Sequence, residues 1–155
     1  MIKIDPKLKL LIVGDGPEKN TLQKLTKSLK QKSHVVFLGN IPNKEIGTIF
    51  SKCFASISAS KSEAFGIVNI ESLREGTPVI CTNTEGAKDI IVNGKNGFIV
   101  DLTKKNDLAK KIELVLKNWE KYSNNALQTF EKEYEKHNIS FHCQTLVNEL
   151  KKKSN

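Results

Sequence analysis

Apolar positions along this chain fall into five short runs, separated by segments of helical period. Leu8–Val13 alternates briefly and then becomes continuously apolar, the pattern of a strand buried in a parallel sheet. Val35–Leu38, closed by Gly39, and then Ala55–Ser58, Val79–Cys81 and Phe98–Val100 read as the other strands. Pro17 starts a predicted helix that runs to Gln31, with Leu22, Leu25 and Leu29 on one face and lysines opposite. Asn43 is a candidate N-cap for a helix carrying Ile46, Ile49 and Phe50 and ending at Lys52. An amphipathic segment opens at Phe65 and stops at Glu75-Gly76. Thr82–Ala87 reads as a loop before a short helix, Lys88–Val92, and Asn93–Gly97 carries a double turn signal. A helix from Asp107 to Lys117, a polar helix from Lys121 to Lys136 and a last helix capped within Asn138–Ser140 complete the chain. Strands alternating with helices predict an α/β fold, a parallel sheet with helices on both faces. At 155 residues the length suits one domain, 1–155, with its core in 8–100 and C-terminal helices in 105–150.

Composition narrows the class of partner. The formal charge of +8 raises nucleic acid or a membrane surface. The lysines are spread along the chain, however, and Arg74 is its one arginine, whereas arginine is the usual reader of bases and phosphates in specific recognition. A nucleic-acid partner is therefore not expected, and mild attraction to an anionic membrane stays open. Three scattered cysteines, Cys53, Cys81 and Cys143, argue against a disulfide framework and for a reducing, cytoplasmic compartment. No apolar run approaches a membrane span, and no charged-then-apolar leader is read at the start.

Candidate chemistry gathers in Ser58–Cys81, a strand, turn, helix and strand that form one βαβ unit. Open parallel sheets bind ligands at the carboxyl ends of their strands, and the turn Ser60–Ala64 stands at such an end. Glu63 lies in the turn, and Glu71 lies eight positions later in the helix. Between them come the first-turn N–H groups near Phe65, Gly66 and Ile67, which with the helix dipole favour an anion such as phosphate. Gly66, without a side chain, lets a ligand approach the backbone. A helix starting near Ala64 or Phe65 puts Glu71 about two turns in, roughly 9 Å along the axis. The order is hydroxyl acceptor, anion site, hydroxyl acceptor, matching a sugar joined by a diphosphate to a ribose. Taken singly, either acid reads as a solvated surface carboxylate; the Phe65-Gly66 frame and the strand after Pro78 favour a site.

These residues resemble a known family. Glu63-Ala64-Phe65-Gly66 followed by Glu71, Gly76, Pro78, Val79 and Ile80 is similar to the E-x7-E signature of the GT-B retaining glycosyltransferases of family 4, glycosyl transferases group 1. Leu11–Pro17 looks like that family's VGDGP turn, Val36–Gly39 like its V-x-F-L-G strand, and Glu85–Ile91 with Gly94–Gly97 like its following loop and helix. The resemblance spans roughly 8–100 and implies a Rossmann-like sheet, the C-terminal, donor-binding half of a GT-B fold. The family's opening strand and basic diphosphate clamp have no counterpart before Leu8, so the resemblance implies a first strand and an acceptor domain outside this sequence.

The resemblance also implies roles. Glu63 contacts the sugar as the catalytic-site acid, Phe65, Gly66 and Ile67 face sugar and phosphates, and Glu71 holds the ribose hydroxyls. Gly39 and Asn40 lie at the nucleotide-base edge. The turn at Gly14 and Gly16 reads as a strand-to-helix turn at the ligand edge rather than a dinucleotide fingerprint, because Lys19 stands where a third glycine belongs. The implied activity is transfer of a sugar from a nucleotide-diphosphate donor to a glycan or lipid-linked acceptor, by this chain only as part of a longer protein. No metal and no cofactor are expected: there is no D-x-D pair, and His34, His137 and His142 are scattered. A nucleotide-sugar 2-epimerase-like domain and a non-catalytic nucleotide-binding module are the alternatives. A serine-hydrolase reading of Ser58, Ser60 and Ser62 fails for want of a G-x-S-x-G elbow.

Overall fold

The computed structural model describes residues 5–134, and the chain divides into two compact units, Met1–Ile49 and Phe50–Asn155. In the first unit β1 (Leu10–Val13) and β2 (Val35–Gly39) pair in parallel, Leu10 opposite Val35, with a register shift between Ile12 and Val13. The continuous apolar run at β1 predicts a buried strand, but only Leu10 and Ile12 are partly buried, while Leu11 and Val13 are exposed. Apolarity marks what a strand is able to bury; what covers it is a separate matter. The helix between them, α1 (Lys19–Ser28), is shorter than the predicted Pro17–Gln31. Pro17 and Glu18 belong to the turn before it, and Lys30 has a left-handed φ of 56° just beyond its end. The following helix, α2 (Asn43–Phe50), has Asn43 as its first residue instead of its cap.

The second unit carries β3 (Ser56–Ser58), α3 (Ile67–Arg74), β4 (Val79–Thr82), α4 (Glu85–Ile90), β5 (Gly97–Val100), α5 (Asp107–Lys117) and α6 (Trp119–Glu133). Its three strands form a parallel sheet in the order β3-β4-β5, Ile57 opposite Ile80 and Ile80 opposite Phe98. The five strands are thus parallel as predicted, but they form two sheets, one of two strands and one of three, instead of a single sheet. Central β4 is buried along Val79-Ile80-Cys81, as a parallel strand covered on both faces must be. Val79 and Cys81 join Leu73 of α3, Ile90 of α4 and Ala126 of α6 in one apolar cluster. Side-chain alternation sends Ile80 to the opposite face, where α5 packs with Ile112 and Val115 buried. Beside Ile80 in the sheet, Phe98 meets the Tyr122 ring edge-on, centroids 5.3 Å apart, and takes the Lys111 ammonium over its face.

Buried polar groups tie these layers together. The Ser72 hydroxyl in α3 lies 2.8 Å from both Ser56 Oγ of β3 and the Thr77 carbonyl oxygen, and Thr77 Oγ1 donates to the Phe50 carbonyl at 2.6 Å. The double turn before β5 is clamped by Asn96, whose Oδ1 accepts from Val92 N–H at 2.9 Å and whose Nδ2 donates to the Ile90 carbonyl at 3.0 Å. Two predicted boundaries move. Thr82–Ala87 is not all loop: Thr84 caps α4, its Oγ1 accepting from Ala87 N–H at 3.3 Å, so the helix starts at Glu85. The polar helix is Trp119–Glu133 against the predicted Lys121–Lys136, whereas α5 is Asp107–Lys117 as read. The expected last helix, capped within Asn138–Ser140, lies outside the described residues.

Candidate functional site

The candidate site of the second unit is the connection from β3 to α3. Ser58 ends β3, the chain crosses Ala59–Phe65, and Gly66 turns it into α3 at a left-handed φ of 81°. That conformation, which glycine adopts without the steric cost of a Cβ, delays the helix to Ile67 instead of the predicted Phe65. A methyl on Gly66 would also lie 2.9 Å from Asn69 Nδ2. Glu71 is therefore four residues into α3, about 6 Å along its axis and one turn from its start, not two.

The polar groups here point to an anion. Glu63 Oε1 accepts from Gly66 N–H at 3.3 Å, and Asn69 N–H bonds back to the Gly66 carbonyl at 2.9 Å. Among the described residues the N–H groups of Phe65, Ile67 and Val68 donate to nothing. They lie at the positive end of the α3 dipole. Phe65, Ile67 and Val68 are 62%, 61% and 57% exposed, so the start of the helix is open to a ligand. Glu71 is partly buried and has no ion pair or hydrogen bond from its carboxylate among the described residues. Glu63, Phe65, Gly66, Ile67 and Glu71 are thus brought onto one turn and the first helical turn after it.

The acid-bearing turn is held from outside by the connection between β4 and α4. Thr82 Oγ1 donates to the Ser60 carbonyl, and Gly86 N–H donates to the Glu63 carbonyl at 3.0 Å. Sequence reasoning did not single out Thr82, Thr84 or Gly86 as site residues. A threonine three places ahead of Ala87 is a capping signal for α4, but nothing local shows that Gly86 reaches Glu63.

In the first unit, Gly14 and Gly39 meet: Gly14 N–H donates to the Gly39 carbonyl at 2.7 Å. Asp15 closes the same turn, accepting from Gly16 N–H at 3.0 Å and pairing with Lys19 at 2.6 Å. The hydrogen bond from Lys19, first, and its charge hold the Asp15 carboxyl below its ordinary range. Lys19 is thus committed to the turn itself, in line with a strand-to-helix connection. Asn40 is exposed just beyond β2.

Elsewhere, a cavity of about 420 Å³ is lined by Asp89, Lys95, Lys132 and Glu133 among others, and includes neither Glu63 nor Glu71. Among the described residues no three His, Cys, Asp or Glu side chains gather as a metal site, and no helix is long and apolar enough to cross a membrane. Burial pushes the Cys81 thiol up to about 11, the mark of an inert core cysteine rather than a nucleophile.

Parallel sheets flanked by helices make this a Rossmann-like α/β fold, and the solved structures it is similar to are GT-B folds. The pneumococcal O-GlcNAc transferase GtfA, in complex with UDP and GlcNAc, superposes over 96% of this chain and 31% of its own, with TM-score 0.80 at 23% identity. Anabaena Alr3699/HepE in complex with UDP does so over 95% and 42%, with TM-score 0.75 at 22% identity.

The sequence profile of the glycosyl transferases group 1 matches residues 1–137, and the chain belongs to that family. It is similar to the N-acetyl-alpha-D-glucosaminyl L-malate synthase of Bacillus anthracis, 32% identical over 82% of this chain and 33% of the relative. It is also similar to the alpha-monoglucosyldiacylglycerol synthase of Acholeplasma laidlawii, 30% identical over 97% and 38%. The chain therefore spans about a third of the length of these curated relatives.

Proposed function

We propose that this chain is the donor-binding, C-terminal half of a retaining glycosyltransferase that takes a sugar from a nucleotide diphosphate. One observation carries the reading: a turn carboxylate, a set of unpartnered N–H groups and a helix carboxylate follow one another from Glu63 to Glu71 at an open helix start. In this reading Glu71 accepts from the two adjacent ribose hydroxyls, a task suited to a charged bidentate acceptor. The amides of Phe65, Gly66 and Ile67 take the diphosphate and the sugar's near edge. Glu63 turns to the sugar hydroxyls.

The chemistry is front-face transfer, in which the departing phosphate itself accepts the proton of the attacking hydroxyl. The carbon–oxygen bond to phosphate breaks, the bond to the acceptor oxygen forms on the same face, and no general base is required of this chain. Its contribution is positioning and stabilisation of phosphate charge. The acceptor is a glycan or a lipid-linked molecule bound by the rest of a longer protein, and the donor site works without a metal. The site works on the cytoplasmic side, with peripheral contact to an anionic membrane face supplied by the excess of lysines. Solved structures in complex with UDP support the donor class, and the similarity to an alpha-monoglucosyldiacylglycerol synthase supports a lipid acceptor.

The test is to assay the full-length protein against a panel of nucleotide sugars, with and without lipid acceptors and with and without chelator. Chelator-resistant transfer from one donor, with the anomeric configuration kept, is the expected result. Inversion of the anomer, loss of activity in chelator or no transfer from any donor overturns the corresponding part.

A further inference from the structure

Gly86 stands in the first turn of α4 with no need of glycine's backbone freedom. Its φ is not in the left-handed region, and alanine is the better residue for a helix interior. Its surroundings explain it instead. A methyl group at Gly86 would lie 2.5, 2.6 and 2.8 Å from the carbonyl carbon, oxygen and nitrogen of Phe65, main-chain atoms that have no rotamer by which to give way. On the same side the Gly86 N–H donates to the Glu63 carbonyl at 3.0 Å. One residue thus touches the backbone on both sides of Ala64, directly between the Glu63 carboxylate and the Gly66 N–H. Thr82 holds the other end of the same loop through its hydroxyl on the Ser60 carbonyl. Thr84, buried, fixes the turn on which Gly86 sits by capping α4.

We propose that Gly86, with Thr82 at the far end of the loop, is a positioning residue of the donor site. It sets where Glu63 and the Phe65–Ile67 amides stand, and it touches no substrate itself. This inference rests on the donor-binding reading above. A side chain at Gly86 must push the Phe65 peptide outward, and Gly66 and Glu63 are one residue and two residues from it. Misplacement by a fraction of an ångström at an anion cradle and a sugar contact weakens both at once, because each depends on donor–acceptor geometry.

Calorimetry and amide NMR on this chain, with UDP, GDP and ADP as probes, test it. Gly86→Ala is compared with Gly76→Ala, a glycine of left-handed φ whose added methyl meets Leu127 and Ser123 at 3.1–3.3 Å, away from the acid loop. Both changes lower the melting temperature. Gly86→Ala alone is expected to shift the Glu63, Phe65 and Gly66 amide resonances and to weaken binding of the preferred diphosphate on the order of tenfold or more. Thr82→Val, which removes one hydroxyl and keeps the volume, is expected to weaken it severalfold and keeps the test open should Gly86→Ala not fold. Binding by Gly86→Ala equal to wild type, or reduced only as much as in Gly76→Ala, overturns the inference; so does unchanged binding in Thr82→Val if Gly86→Ala is unfolded. A wild-type chain that binds none of the three diphosphates fails earlier, overturning the donor-site reading and this inference with it.

Discussion

Glu63 and Gly66 are bonded to each other: the carboxylate oxygen of the first accepts from the N–H of the second at 3.3 Å. The acid therefore rests on the positive end of α3, where the phosphates of a donor are proposed to bind. Next to it, the Ile67 and Val68 N–H groups have no acceptor among the described residues. Amide hydrogen exchange should find Ile67 and Val68 fast without ligand and slowed by nucleoside diphosphate, with Gly66 intermediate before ligand is added. Glu63→Ala should speed Gly66 exchange and leave the other two as they were. Equal protection of all three amides without ligand would contradict the geometry.

Gly66→Ala should be costly for two reasons that add. The residue has φ 81°, which costs an L side chain about 1–2 kcal/mol, and the methyl would stand 2.9 Å from Asn69 Nδ2 and 3.3 Å from Ile90 Cδ1. Urea melts should therefore show a loss of roughly 2 kcal/mol or more, with diphosphate binding lost as well. A wild-type midpoint with wild-type binding would show that the turn does not need its left-handed residue.

Cys81 gives a pH dependence of definite sign. Its thiol is pushed by burial from the ordinary value of 9.0 to about 11 in the folded chain, so the folded state holds this proton more tightly than the unfolded state. The stabilising effect is complete below about pH 9 and is lost as pH rises towards 11. Chemical denaturation at pH 8, 9, 10 and 11 should show stability falling across the upper steps, and the same limb should be flatter in Cys81→Ala. An identical slope in the two proteins would assign the alkaline loss to other groups.

Much of this was legible along the chain, and the parts that were not have physical causes. β4 and α5 are readable because an uninterrupted apolar triplet and a 3-and-4 spacing each define what must be buried. The acids and the glycine of the candidate site are readable because they lie within nine residues of one another. The late start of α3 was hidden in Gly66, since composition tells only that a left-handed residue is allowed there and not that it is adopted. The exposure of Leu11 and Val13 was hidden because an apolar run does not name its cover. Gly86 was hidden most deeply. Its contact with Glu63 bridges 23 positions, and a glycine inside a helix carries no local mark of the backbone pressed against it.

The most direct test of the donor-site account is calorimetry of two variants with free nucleoside diphosphate. Glu71 is proposed to hold the ribose, which both the free diphosphate and the intact donor carry. Glu71→Ala should therefore weaken both by the worth of charge-assisted hydrogen bonds, about 1.5–3 kcal/mol or some ten- to a hundredfold. Glu63 is proposed to serve the sugar, so Glu63→Gln should bind free diphosphate nearly as wild type does while lowering transfer by the full-length protein. Loss of the free diphosphate in Glu63→Gln as severe as in Glu71→Ala would contradict the division of roles, and no loss in either variant would place the site elsewhere.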